Sequence, residues 1–169
     1  MEQARNEVLD WLRDAHAMEQ QAEQMLSATA ERVEHYPELQ ARLRSHLEET
    51  RGQARRLRAY LEAHGGDTSL VKDVTGRVAA FAQGVGTMAA GDEVVKIALA
   101  SYHFEQLEIA SYRILLAAAE LLQDEDLRAV SAGNLAEEEA MAAWLLEQLP
   151  SITRQYLQRS ETGGLPAKR

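Results

Sequence analysis

The chain of 169 residues has no cysteine. Disulfides, cysteine–zinc sites and thiol catalysis are therefore excluded, as expected for a chain that works in a reducing cytoplasm. Proline occurs three times and aromatic residues make up only 5% of the chain. Valine and isoleucine are sparse beside alanine and leucine. Few helix breakers and few β-branched residues predict an all-helical protein. No apolar run approaches the roughly 20 residues of a membrane span. The start, Met1-Glu-Gln-Ala-Arg-Asn6, lacks the apolar centre of a signal peptide. Positive charge is also short: 18 Lys and Arg stand against 27 Asp and Glu, a net charge of -9. Such a balance disfavours nucleic acid and anionic membranes as partners and suits the attraction of cations.

The length fits one domain with a real core. Four long helical patterns are expected. The first runs from Glu2 to about Val33, on a stripe of Val8, Leu12, Ala15, Glu19, Ala22, Leu26 and Val33. Tyr36-Pro37 ends it, because the residue before proline is pushed out of the α region. The second runs from Pro37 to about His64, with Leu39, Leu43, His46, Leu47, Thr50, Ala54, Leu57 and Leu61 inward. Its arginines 51, 55, 56 and 58 are read as solvated. Gly65-Gly66 stops it. Residues 70 to 90 carry a weaker helical pattern interrupted by glycines. They are read as a connecting helix that lets the next long helix start at either end of the bundle.

The third long helix spans about Asp92 to Leu122. Ala98, Tyr102, Glu105, Ile109 and Tyr112 share one face, with Glu108 beside Glu105. The fourth runs from about Asp124 to Gln158, and Pro150 should kink it or split off its end. The bundle is taken to end near residue 159, with 160–169 a flexible tail. That tail, with its Gly-Gly-Leu-Pro sequence, also offers a docking peptide for a larger assembly.

Each long helix thus turns acid inward: Glu19, then Glu49, then Glu105 and Glu108, then Glu138. A buried carboxylate is costly unless paired. A cluster of them cannot all stay ionised without compensating charge, which divalent cations supply. Oxygen-rich donors suit iron or manganese, and an imidazole such as His46 adds affinity for iron. Gln53 and His16 are placed to support the ligands. Tyr102 and Tyr112 could give a hydrogen bond or an electron. The plainer reading is a bundle without catalysis whose inward acids are held by arginines and hydrogen bonds.

Four segments carry a resemblance. Leu12-Arg-Asp-Ala-His-Ala-Met-Glu19, His46-Leu-Glu-Glu-Thr-Arg-Gly-Gln53, Glu108-Ile-Ala-Ser-Tyr112 and Leu135-Ala-Glu-Glu-Glu139 resemble the helix motifs of the YciE/YciF-type bacterial ferritin-like family. The resemblance implies a ferritin-like four-helix bundle with an added connecting helix, and a homodimer. It also implies a di-iron-type site, with oxygen or peroxide as small-molecule substrate, and a link to stress responses. The chain departs from the ferritin-like Glu-x-x-His pattern. The corresponding frames read Glu48-x-x-Arg51 and Glu138-x-x-Met141, while Glu105-x-x-Glu108 supplies two carboxylates.

Overall fold

A computed structural model describes residues 2–65 and 93–162. These form four helices: α1 (Glu2–Arg32), α2 (Pro37–Ala63), α3 (Glu93–Leu122) and α4 (Glu125–Glu161). The connecting helix expected over 70–90 lies outside the described residues, as does the tail beyond residue 162.

Local chemistry sets the helix ends. Tyr36 precedes α2, and Pro37 opens it, where a missing N–H costs nothing. Gly65 follows α2 with φ 74°, a left-handed conformation that glycine adopts without strain. Asp124 caps α4: its Oδ1 accepts from the Leu127 N–H at 2.9 Å, and its Oδ2 accepts from the Tyr60 hydroxyl at 2.8 Å. One carboxylate thus stops the α3–α4 turn and ties it to the end of α2. Replacing Asp124 with Ala should cost about 1–2 kcal/mol, read as a lower midpoint in chemical denaturation.

Pro150 does not end α4, which runs on to Glu161. Pro150 and Leu146, the residue whose carbonyl loses its helical donor, are both exposed. Ile152 is buried in the core beyond it and Tyr156 packs there too. Burial past the proline holds the helix together where propensity alone predicts a break.

Two apolar clusters lie at opposite ends of the bundle. One joins Val8 and Leu12 to Leu57 and Leu61, Leu115 and Leu122, and Leu127. The other joins Leu26 and Val33 to Leu39 and Leu43, Val94 and Ala98, and Leu145 and Ile152. The start of α1 therefore meets the end of α2, the end of α3 and the start of α4. Helices α2 and α3 run parallel. That is the helix arrangement of a ferritin-like four-helix bundle.

The buried face of α3 differs in detail from the expected stripe. Ser101, Phe104, Glu105, Glu108, Tyr112 and Leu115 are buried, whereas Tyr102 and Ile109 are only half-buried. On α2, Gln53 is buried and Ala54 half-buried. Between the two apolar clusters lies a polar layer: Glu19, His46, Thr50, Gln53, Glu105, Glu108 and Glu138 are all at most 1% exposed.

Candidate metal centre

The polar layer draws on every helix. Helix α1 brings Glu19, α2 brings His46 and Gln53, α3 brings Glu105 and Glu108 one turn apart, and α4 brings Glu138. His46, Glu105, Glu108 and Glu138 converge most closely: each presents one ligand atom, and these atoms all lie within 4.8 Å of one another.

His46 is held from outside. Its Nδ1 stands 2.7 Å from Glu49 Oε2, and Arg42 donates to both Glu49 oxygens at 3.2 and 3.1 Å. Glu49 as acceptor puts a proton on Nδ1 and directs Nε2 into the cluster, as a carboxylate does behind a metal-bound imidazole. Nε2 lies 3.1 Å from Glu105 Oε2 and 3.4 Å from Glu138 Oε2. Neither approach is aligned as a hydrogen bond: all three atoms are buried without such a partner, together with Glu108 Oε1 and Glu19 Oε2. Buried polar atoms normally find partners. These imidazole and carboxylate atoms, left over in one layer, suit cations, and those of His46, Glu105, Glu108 and Glu138 are close enough together to face one, so the residues present fit a metal.

Charge in the layer is tightly managed. Burial raises the carboxyl groups of Glu19 and Glu108 well above the usual range, and the Glu138 charge raises both further. Burial also lifts Glu105, to about 8, against the pull of His46. Burial disfavours the charged His46 ring as well, yet contacts with Glu105, Glu138 and Glu49 outweigh it and push the ring up to about 12. Burial works against ionised Glu138 too, but its close contacts with His46, Glu105 and Glu108 keep it below the ordinary value. Gln53 Nε2 also donates to Glu138 Oε1. Without metal, then, the layer favours an ionised Glu138 beside a protonated His46 and disfavours ionisation of Glu19, Glu105 and Glu108.

A family model described as "Domain of unknown function (DUF892)" matches residues 3–158. The chain belongs to this family. Solved structures agree. A protein from Xanthomonas campestris pv. campestris is 37% identical, with a TM-score of 0.79 over 94% of this chain and 99% of that one. The stress protein YciF of E. coli is 23% identical, with a TM-score of 0.73 over 92% and 99%; at that identity it speaks for the fold. YcfI from Rhodopseudomonas palustris is 29% identical, with a TM-score of 0.69 over 84% and 92%. The chain is thus a DUF892 protein that shares the helical fold of these neighbours, YciF among them.

Among DUF892 residues singled out from sequence, the structure groups His46, Glu105, Glu108 and Glu138, with Glu19 and Gln53 against them. Glu49 stands at the rim, 31% exposed, between His46 and Arg42. Tyr112 donates its hydroxyl proton to Glu19 Oε1. Tyr102 packs with the apolar cluster near Val94 instead. His16 is buried with its Nδ1 unpartnered and lies outside the group of four; burial and then Arg58 lower its basicity. The Glu-x-x-His frames resolve differently. Arg51 binds Glu23 at 2.8 Å and Glu48 at 2.5 Å on the outside. Met141 is fully buried in the apolar cluster with Leu145. The imidazole comes from the reversed order, His46-x-x-Glu49.

Sequence reading missed three residues around the layer. Arg42 was not considered. Asn134 carries no mark in the sequence beyond helical spacing. Arg56 was read as solvated, yet its Nε reaches Asn134 Oδ1 at 2.7 Å. A long aliphatic stem lets a surface arginine place its head against a buried group, and periodicity carries no sign of that.

Proposed function

We propose that this DUF892 chain is a ferritin-like metal-binding protein of bacterial stress responses, with iron in its central layer. Manganese or another divalent ion is the substitute. His46, Glu105, Glu108 and Glu138 would hold the metal, and Glu19 would complete a second position. The observation that carries this reading is the convergence of these side chains with their facing atoms unpartnered. An iron centre of this kind supplies redox capacity toward oxygen or peroxide, so Fe(II) oxidation is the proposed activity. The chain's part is to hold His46 by Glu49, to spread negative charge over several carboxylates, and to exclude water behind two apolar clusters.

A homodimer is part of this proposal. Trp11, Ile114 and Leu121, exposed by 41%, 54% and 68%, surround an apolar groove between α1 and α3 that offers a surface for it. Sedimentation velocity tests it, and a monomer at all concentrations removes it. No described helix is long and apolar enough to cross a membrane.

One observation favours the plainer reading, a bundle with no metal. Contacts with Glu105, Glu138 and Glu49 outweigh burial and raise the basicity of His46, so a protonated ring would offset part of the acid. Elemental analysis of protein from iron-supplemented cells decides between the two. About two metal ions per chain support a dinuclear centre and about one a reduced site. None, even after anaerobic Fe(II) loading, leaves the non-catalytic bundle.

A further inference from the structure

Tyr112, Asn134 and Arg56 form a hydrogen-bonded line from the central layer to the surface. Tyr112 donates to Glu19 Oε1. Asn134 Nδ2 donates to the Tyr112 oxygen at 2.9 Å. Arg56 Nε donates to Asn134 Oδ1 at 2.7 Å, and its outer nitrogen also binds Glu137. Glu19, Tyr112 and Asn134 are wholly buried, whereas the Arg56 side chain is 38% exposed.

The line has one direction. A guanidinium only donates, so it must meet the Asn134 oxygen and not its amide nitrogen. That turns the Asn134 NH₂ toward Tyr112. The phenol oxygen then receives a proton from Asn134, and its single O–H is left to donate to Glu19. Each orientation follows from the one outside it. At the inner end Glu19 Oε1 is engaged while Oε2 stays unpartnered in the layer. The one residue that α1 adds to the cluster is thereby aimed from the far side of the bundle.

We infer that Arg56 and Asn134 are positioning residues. Through Tyr112 they fix Glu19 as the ligand of a second metal position, next to the one built from His46, Glu105, Glu108 and Glu138. This rests on the metal-binding reading above. The line has no need of a metal to form, but its direction matters only if Glu19 Oε2 is used.

The test is Co(II) titration followed by visible absorption, which reports both the number of ions bound and their donor set. Asn134→Asp keeps the shape and the Arg56 contact but can only accept, so it draws the Tyr112 proton away from Glu19. It should weaken the second Co(II) by about 10- to 100-fold and leave the first unchanged. Its spectrum should match that of Glu19→Ala, and the double variant should lose nothing further. Arg56→Met acts from outside the core and covers the case in which Asn134→Asp does not fold. It frees the amide to turn over and should shift the same spectral band. Wild-type Co(II) binding in Asn134→Asp or Arg56→Met, or additive losses in the double variant, overturns the positioning role but leaves the metal centre standing. No Co(II) bound by the wild type overturns the centre, and the relay with it.

Discussion

Glu138→Ala should abolish the thermal stabilisation that metal gives the wild type, while the helical bundle remains. Glu138 is wholly buried and meets more of the layer than any other acid: His46, Gln53, and the carboxyl groups of Glu105 and Glu108 all bear on it. A ligand that binds only the folded state stabilises it by about 4 kcal/mol at a thousand times its dissociation constant. For a chain of this size that raises Tm by roughly 10 °C. The variant should show no rise with Fe(II) or Mn(II) under anaerobic conditions. Its metal-free form should lose only about 1–3 kcal/mol, the cost of stranding buried partners. Circular dichroism melts with and without metal check both statements. An equal metal-induced rise in variant and wild type would exclude Glu138 as a ligand.

The second large effect is a reversal of pH dependence on metal binding. Glu105 is raised to about 8 in the folded chain, so its contribution is complete below the ordinary carboxyl value and is lost as pH rises through about 8. His46, raised to about 12, contributes fully below its ordinary value and progressively less above it. Raised Glu19 and Glu108 act in the same sense. Lowered Glu49 and Glu138 act oppositely: their stabilisation is present above the ordinary carboxyl value and fades in acid. The metal-free protein should therefore be most stable in mild acid. Its Tm should fall by at least about 5 °C from about pH 6 to about pH 9. Metal needs His46 Nε2 and the carboxylates free of protons, so its affinity climbs with pH and binding releases protons. With saturating metal the fall should flatten or invert. A metal-free Tm that rises over the same interval would refute this account of the layer.

The helices and the inward acids were legible because both depend on periodicity. Glu19, Glu105, Glu108 and Glu138 recur in step with leucines, and the breaks after α1 and α2 carry a proline and a glycine pair, Pro37 and Gly65-Gly66. The buried face of α3 was harder to place. Alanines surround its polar positions, so Tyr102 and Ile109 looked as inward as Ser101 and Phe104. Of the kink or split that Pro150 allows, the split does not occur, because helix propensity is local and the burial of Ile152 is not. Glu49 shares the spacing of an inward residue, but Arg42, about two turns earlier on the same helix, holds it at the rim. The partners of Asn134 and Tyr112 come from other helices, beyond the reach of any spacing rule.

The four-helix topology has a mechanical consequence. Helices α1 and α2 form one hairpin and α3 and α4 the other. The first hairpin owns Glu19 and His46; the second owns Glu105, Glu108 and Glu138. Neither half carries the full donor set. An ion in the central layer would act as a rivet between two leaves of the fold, and prying the leaves apart would mean surrendering the ion first.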